Sequence, residues 1–143
     1  MNSLALGDVD QDGKSDVVGL GGASRLQVFE SIDGNSHPSH LVWESPPISN
    51  HVGFAAVADT DADGRLEIIY LFYVGVIRII IFECEGDDTY VQKFLSPLDL
   101  DPRGGGSPSL QNIYSPWAGD ELVWDLDQDG RPEIANGGQG RLQ

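Results

Sequence analysis

Twelve of the 23 acidic side chains in this 143-residue chain fall into three short strings of one pattern. Asp8-Val9-Asp10-Gln11-Asp12-Gly13-Lys14-Ser15-Asp16, Asp59-Thr60-Asp61-Ala62-Asp63-Gly64-Arg65-Leu66-Glu67 and Asp125-Leu126-Asp127-Gln128-Asp129-Gly130-Arg131-Pro132-Glu133 all read D-x-D-x-D-G-x-x-[D/E]. Carboxylates at positions 1, 3 and 5 converge if the backbone turns sharply, and the glycine at position 6 permits that turn. Position 7 (Lys14, Arg65, Arg131) then offers a backbone carbonyl while its cationic side chain points away. Position 9 (Asp16, Glu67, Glu133) closes the cage. Hard oxygen donors on a flexible loop, with no His or Cys among them, select Ca2+ over zinc or copper. The expected ligands are therefore positions 1, 3, 5, 7 and 9 of each string. Solvated, glycine-containing hairpin turns without metal are the plain alternative, and threefold recurrence of one ligand spacing speaks against them.

An EF-hand shares positions 1 to 9 but needs a bidentate Glu at position 12, where this chain has Gly19, Tyr70 and Asn136. It also needs flanking helices. The flanks here are strand-like instead: Leu4-Ala5-Leu6 and Val17-Val18, Phe54-Ala55-Ala56-Val57 and Ile68 to Phe72, Leu122-Val123-Trp124 and Ile134. Each acidic string is thus expected at the tip of a β-hairpin.

Those hairpins belong to longer repeats. Asp59 stands 51 positions after Asp8, and Asp125 stands 66 after Asp59. Phe29-Glu30-Ser31 matches Phe82-Glu83-Cys84, and Ser24-Arg25-Leu26-Gln27 matches Gly140-Arg141-Leu142-Gln143. A period of roughly 40–50 residues built from several short strands indicates propeller blades. The expected fold is all-β, with four-stranded antiparallel blades. Strands are expected at about 3–7, 16–21, 25–31 and 40–45, at about 53–58, 67–74, 76–84 and 89–95, and at about 120–125 and 133–136. This divides the chain into blade 1 (1–50), blade 2 (51–98), a Pro/Gly-rich inter-blade loop (99–119) and the start of a truncated blade 3 (120–143). Tyr114, Pro116 and Trp117 near that loop would suit either a sugar-stacking platform or a propeller core.

The acidic loops in hairpin context resemble the FG-GAP/VCBS repeat family, the calcium-binding β-propellers related to the integrin α-subunit head. Gly7-Asp8 with Asp10, Asp12, Gly13 and Asp16 fits the family pattern, and the loops from Asp59 and Asp125 fit with Glu67 and Glu133 as last ligand. Gly53-Phe54 and Gly21-Gly22-Ala23 echo the family's Phe-Gly and Gly-Ala-Pro pairs in the manner of a divergent prokaryotic-type repeat. The resemblance implies calcium-stabilised blades, a secreted or surface location and, among family roles, cell adhesion.

A net charge of −15 repels nucleic acid and anionic membranes. Three bound Ca2+ would bring it to about −9. The eight basic residues form no patch, so no nucleic-acid partner is expected. Loops of the weak extracellular class, with Kd on the order of 10⁻⁴–10⁻³ M, fill outside a cell and stay empty in a cytosol. That favours an extracellular, periplasmic or cell-surface protein, although Met1-Asn2-Ser3 runs into a strand without a signal peptide. No membrane insertion is expected, because the longest apolar run, Val74 to Phe82, is interrupted by Arg78. A propeller closes with about 4–8 blades. The chain therefore reads as two and a half blades of a larger ring, whose further blades are partners. Alone it is expected to expose strands such as 76–82.

Other chemistry finds little footing. Cys84, the single cysteine, falls by alternation on the face of Ile80 and Phe82, and its repeat counterpart is Ser31, which makes it a packing residue. His37-Pro38-Ser39-His40 lies in a Gly/Ser/Pro loop with no acidic third ligand, and His51 stands alone. The acids are committed to the loops, which leaves no carboxylate pair for glycoside chemistry. The expected function is a non-enzymatic, calcium-stabilised structural and binding module that recognises a protein or glycan. The alternative is the propeller domain of an extracellular polysaccharide-degrading enzyme, which would need a convergent set of Arg, Lys, His or Tyr.

Overall fold

Short runs of β-branched and aromatic residues, each ended by Gly, Asp or Pro, have too little length for helices and fold as strands joined by tight turns. The computed structural model describes residues 4–48, 53–73, 77–96, 123–124, 128 and 133–134. Strands β1 (Leu4–Gly7), β2 (Asp16–Leu20), β3 (Leu26–Glu30) and β4 (His40–Glu44) form one antiparallel meander. Strands β5 (Gly53–Ala58), β6 (Glu67–Tyr73), β7 (Ile77–Gly86) and β8 (Thr89–Leu95) form a second. The hairpin of β9 (Val123–Trp124) and β10 (Glu133–Ile134) repeats the opening pair. The only helical element among the described residues is the 3-10 turn Gly22–Ser24. Four-stranded antiparallel sheets in chain order are the build of propeller blades, and the strands of the two four-stranded sheets agree with those expected to within about two residues at each end. The inter-blade stretch 99–119, with Tyr114, Pro116 and Trp117, lies outside the described residues.

The two sheets pack face to face. Val18, Leu26 and Val28 of the first are buried in one cluster with Ile68, Tyr70, Phe72, Ile80 and Phe82 of the second. Trp43 closes one side of the seam, with its ring centroid 5.1 Å edge-on from Phe82 and 5.2 Å from Tyr90. Equivalent residues do not meet across this seam. Counted from position 9 of each loop, Val18 corresponds to Ile69, and aligned on the Phe-Glu pair of the third strand, Val28 corresponds to Ile81. Yet Ile69 and Ile81 lie on the opposite face of the second sheet, packed with Leu71 and Ile79. In return Val17 and Phe29, the counterparts of Ile68 and Phe82, share the outward face of the first sheet with Leu6 and Leu41, as their direct pairing shows. Leu6 is 74 % exposed there. Each unit therefore has two different apolar faces, and one face of the first sheet meets the other kind of face on the second.

Residues 77–82 of the stretch expected to be exposed belong to a strand held on both sides. Strand β7 pairs with β6 along Tyr73↔Ile77 to Glu67↔Glu83 and with β8 from Ile80↔Leu95 onward. Arg78, which breaks the apolar run, also has a structural use. Its guanidinium donates to the Ser96 carbonyl, from Nε at 3.0 Å and also from Nη2, while Ser96 Oγ accepts from the Ile79 amide at 2.9 Å. Arg25 does the same to the Ser45 carbonyl at 2.7 Å, and Ser45 Oγ accepts from the Leu26 amide at 3.0 Å. An Arg–Ser latch thus ties the start of the third strand to the end of the fourth in both sheets.

Gly53 opens the second sheet under a tight roof. A Cβ there would run into the Leu71 carbonyl and the ring of the buried Tyr70. Replacing it with alanine forces backbone or ring to move, so Gly53→Ala is expected to destabilise the chain by about 1–3 kcal/mol. A melting curve unchanged from the parent would show that the roof yields freely.

Candidate metal centre

Both fully described acidic strings sit where their spacing puts them, between the first and second strands of a sheet. Gly7↔Asp16 and Ala58↔Glu67 are the closing pairs of the two hairpins. Position 6 takes the left-handed region that glycine tolerates, φ 93° at Gly13 and 90° at Gly64. Position 4 does so as well, with φ 64° at Gln11, 62° at Ala62 and 61° at Gln128. All three strings therefore share this backbone device, including the third, where Gln128 is the one loop-interior residue described. Reading ligand positions alone missed it.

The acids first serve as acceptors for the turn's own amides, and this curls the loop around them. Gly13 N and Gly64 N each donate to the position-1 carboxylate, Asp8 Oδ2 or Asp59 Oδ2, at 2.9 Å. Lys14 N and Arg65 N each donate to the position-5 carboxylate, Asp12 Oδ1 or Asp63 Oδ1, at 2.8 Å. Position 9 reaches back to position 2: Val9 N donates to Asp16 Oδ2 at 2.7 Å, and Thr60 donates to Glu67 Oε2 from both N and Oγ1 at 2.6 Å.

In the second loop Asp59, Asp61, Asp63 and Glu67 each bring an oxygen within 4.8 Å of all the others. In the first loop Asp8, Asp10 and Asp16 do so. Asp12 stands apart, because its Oδ2 is taken by Lys14 Nζ at 2.6 Å. The cation at position 7 does not point away, as its charge alone implied. Lys14 Nζ also binds Glu30 Oε2 at 2.8 Å, and Arg65 Nη1 binds Glu83 Oε1 at 2.9 Å, so both turn back onto the glutamate ending the Phe-Glu step of the third strand. Guanidinium length explains the difference between the loops. Arg65 reaches Glu83 while its Nε stays 3.8 Å from Asp63, which leaves Asp63 free to join the acidic cluster. Asp125, Asp127, Asp129 and Arg131 lie outside the described residues, and Glu133 is placed by its backbone at the start of β10.

Burial makes these carboxylates unusual. Asp16 is 2 % exposed and Glu67 3 %. Asp8 Oδ1 and Glu67 Oε1 are buried without a hydrogen-bond partner. Burial pushes the Asp16 carboxyl up to about 6 against the Val9 amide bond, with the carboxylates of Asp10, Glu30 and Asp8 adding to the rise. Glu67 is raised by burial too, opposed by its Thr60 bonds and reinforced by Asp61 and Asp59. An orphaned, buried carboxylate oxygen is a costly feature unless something positive completes it. The donor set is all hard oxygen, which fits a divalent hard cation.

The other candidates stay bland. Cys84 is buried with Ile80 and Phe82, and burial raises its thiol above the ordinary range, which disfavours the thiolate form. Its counterpart Ser31 is equally buried and accepts from the Ser15 amide at 3.0 Å. His37 and His40 are exposed and belong to none of the clusters capable of holding a metal, and His51 lies outside the described residues. No helix among the described residues is long and apolar enough to cross a membrane.

Residues 8–70 match the family model of the FG-GAP-like repeat. The match opens on Asp8, the first acidic position of one loop, and runs through the whole of the next into β6. No curated protein and no solved structure matches the chain.

Proposed function

We propose that the chain, whose residues 8–70 match the FG-GAP-like repeat model, is a calcium-stabilised β-propeller repeat module of a secreted or cell-surface protein. Its role in this reading is structural and ligand-binding, toward a protein or glycan, and it is not an enzyme. The observation that carries the metal is the second loop: four carboxylates within 4.8 Å, one of them buried with an unpartnered oxygen. Asp59, Asp61, Asp63 and Glu67 would hold the ion there, and Asp8, Asp10 and Asp16 would hold it in the first loop, with Asp12 joining if it leaves Lys14. The third string, Asp125 to Glu133, would hold a third. The ion would supply positive charge at a point where the sequence places four negative ones, and so fix the first hairpin of each blade.

Support for the location is chemical. Loops of this class load at the calcium concentrations found outside cells. The net charge of −15 is partly binding capacity for that ion, and the acidity disfavours nucleic acid as a partner. Isothermal titration of the 143-residue chain tests the metal directly. Calcium should bind in preference to magnesium, and Asp63→Ala should remove one ion while leaving the others. Absence of uptake by the folded chain would sink the proposal. Turnover of a polysaccharide by the purified chain would overturn the non-enzymatic assignment.

A further inference from the structure

A third acidic cluster shares Asp10 with the first loop, draws its other three members from outside the repeated loops and is assembled from both sheets. The β7–β8 turn, with Gly86 at φ 152° and Asp88 at φ 54°, carries Asp87 and Asp88 onto the first loop. There the Asp88 amide donates to Asp10 Oδ2 at 3.0 Å. Asp10, Glu30, Asp87 and Asp88 each place a carboxylate oxygen within 4.8 Å of the other three. Glu30 is only 5 % exposed. Its Oε2 accepts from Lys14, but its Oε1 is buried with no partner, and so is Asp88 Oδ1.

The counterpart position shows how such a glutamate is otherwise satisfied. Glu83 stands where Glu30 does in the repeat, and it meets two cations, Arg65 at 2.9 Å and Lys93 at 3.4 Å. Glu30 meets one ammonium, which it shares with Asp12, and three carboxylates. Like charges gathered at this range repel unless a cation lies among them.

We propose that Asp10, Glu30, Asp87 and Asp88 form a calcium site of a second kind, one that joins the two sheets instead of closing one hairpin. All four donors are hard oxygens, and the buried, unpartnered oxygen of Glu30 is the ligand the surrounding protein leaves unsatisfied. Two ligands come from each sheet, so the ion would act as a clip across the seam near Tyr90. Asp10 belongs to this cluster and to that of the first loop, which couples the two sites.

The test counts calcium ions on the 143-residue chain by equilibrium dialysis. Asp87→Asn/Asp88→Asn removes two ligand charges from the second sheet without touching either loop, and asparagine accepts the left-handed backbone of position 88. The expected result is one ion fewer per chain and a smaller rise of melting temperature on adding calcium. Asp87→Asn alone, at an exposed turn position, should fold as the parent does and weaken one site at least tenfold. Asp63→Ala should remove a different ion, so losses in the two variants add. An ion count and affinities unchanged by both turn variants would overturn the inter-sheet site and leave the loop sites standing.

Discussion

Stripping calcium is expected to lower the melting temperature of the chain by about 15 °C. Each ion that binds the folded loop and not the unfolded chain stabilises by RT ln(1 + [Ca]/Kd), about 2.7 kcal/mol at one hundred times Kd. Two described loops give about 5 kcal/mol, and about 3 °C accompanies each kcal/mol in a chain of this size. The physical cause is local. Asp8 Oδ1 and Glu67 Oε1 are buried without partners, so the apo fold carries unsatisfied charge that the loaded fold does not. Because each loop ends on the closing pair of its hairpin, its loosening should open β1–β2 and β5–β6 and not a single turn. Differential scanning calorimetry and limited proteolysis, each with chelator and with millimolar calcium, check this. Identical melting and digestion in both conditions would mean that the loops contribute nothing to stability.

The second large effect is a change of sign in the pH dependence. In the metal-free protein Asp16 titrates near 6 and Glu67 and Asp88 also lie above the usual carboxylate range, burial being the main cause in each case. A carboxyl whose folded value is raised holds its proton more tightly in the folded than in the unfolded state. The contribution of these three groups to the metal-free fold is therefore fully present below the ordinary carboxylate range and is lost as pH rises through about 6. Falling self-repulsion at lower pH acts in the same direction. Groups lowered by partners, such as Asp12 with Lys14 and Glu85 with Lys93, titrate below this window and do not reverse it. With calcium bound, the same ligands must be ionised, so acidification through this window expels the ion and destabilises. Melting temperature should thus fall from pH 5 to pH 7 in calcium-free buffer and rise over the same interval in saturating calcium. Slopes of the same sign in both buffers would refute the assignment of Asp16 and Glu67 as ligands.

The fold was legible because its signals are local and repeated. Glycine and aspartate punctuation with alternating apolar residues located every described strand, and the loop spacing fixed which strands form hairpins. Residues of the second loop converge as their spacing implies. What escaped the sequence depends on partners distant along the chain. Lys14 and Arg65 turn onto Glu30 and Glu83 because the third strand runs beside the loop, a neighbour that position numbers within the loop do not reveal. The Phe-Glu match between repeats contained that signal, since a cation at position 7 recurs with a glutamate at the end of the third strand. Asp87 and Asp88 reach Asp10 only after the two sheets dock, and the β7–β8 turn has no counterpart in the loop pattern. Arg78 looked like an interruption of an apolar strand, and only its equivalence with Arg25 shows it to be half of a latch.

The two unlike faces of each sheet bear on how such a chain can change its length over generations. Val18 and Val28 meet Ile68 and Phe82 across the seam, while Ile69 and Ile81 carry the first kind of face onward. A surface that had to match itself would be spoiled by an inserted unit, whereas here each unit presents a socket on one side and the plug for it on the other. Copying one stretch of about 50 residues in frame would therefore supply a ready-made neighbour for both units it falls between. Loss of such a stretch would rejoin a plug to a socket. Gene rearrangement in this chain can lengthen or shorten the array while leaving the contact chemistry between units as it was.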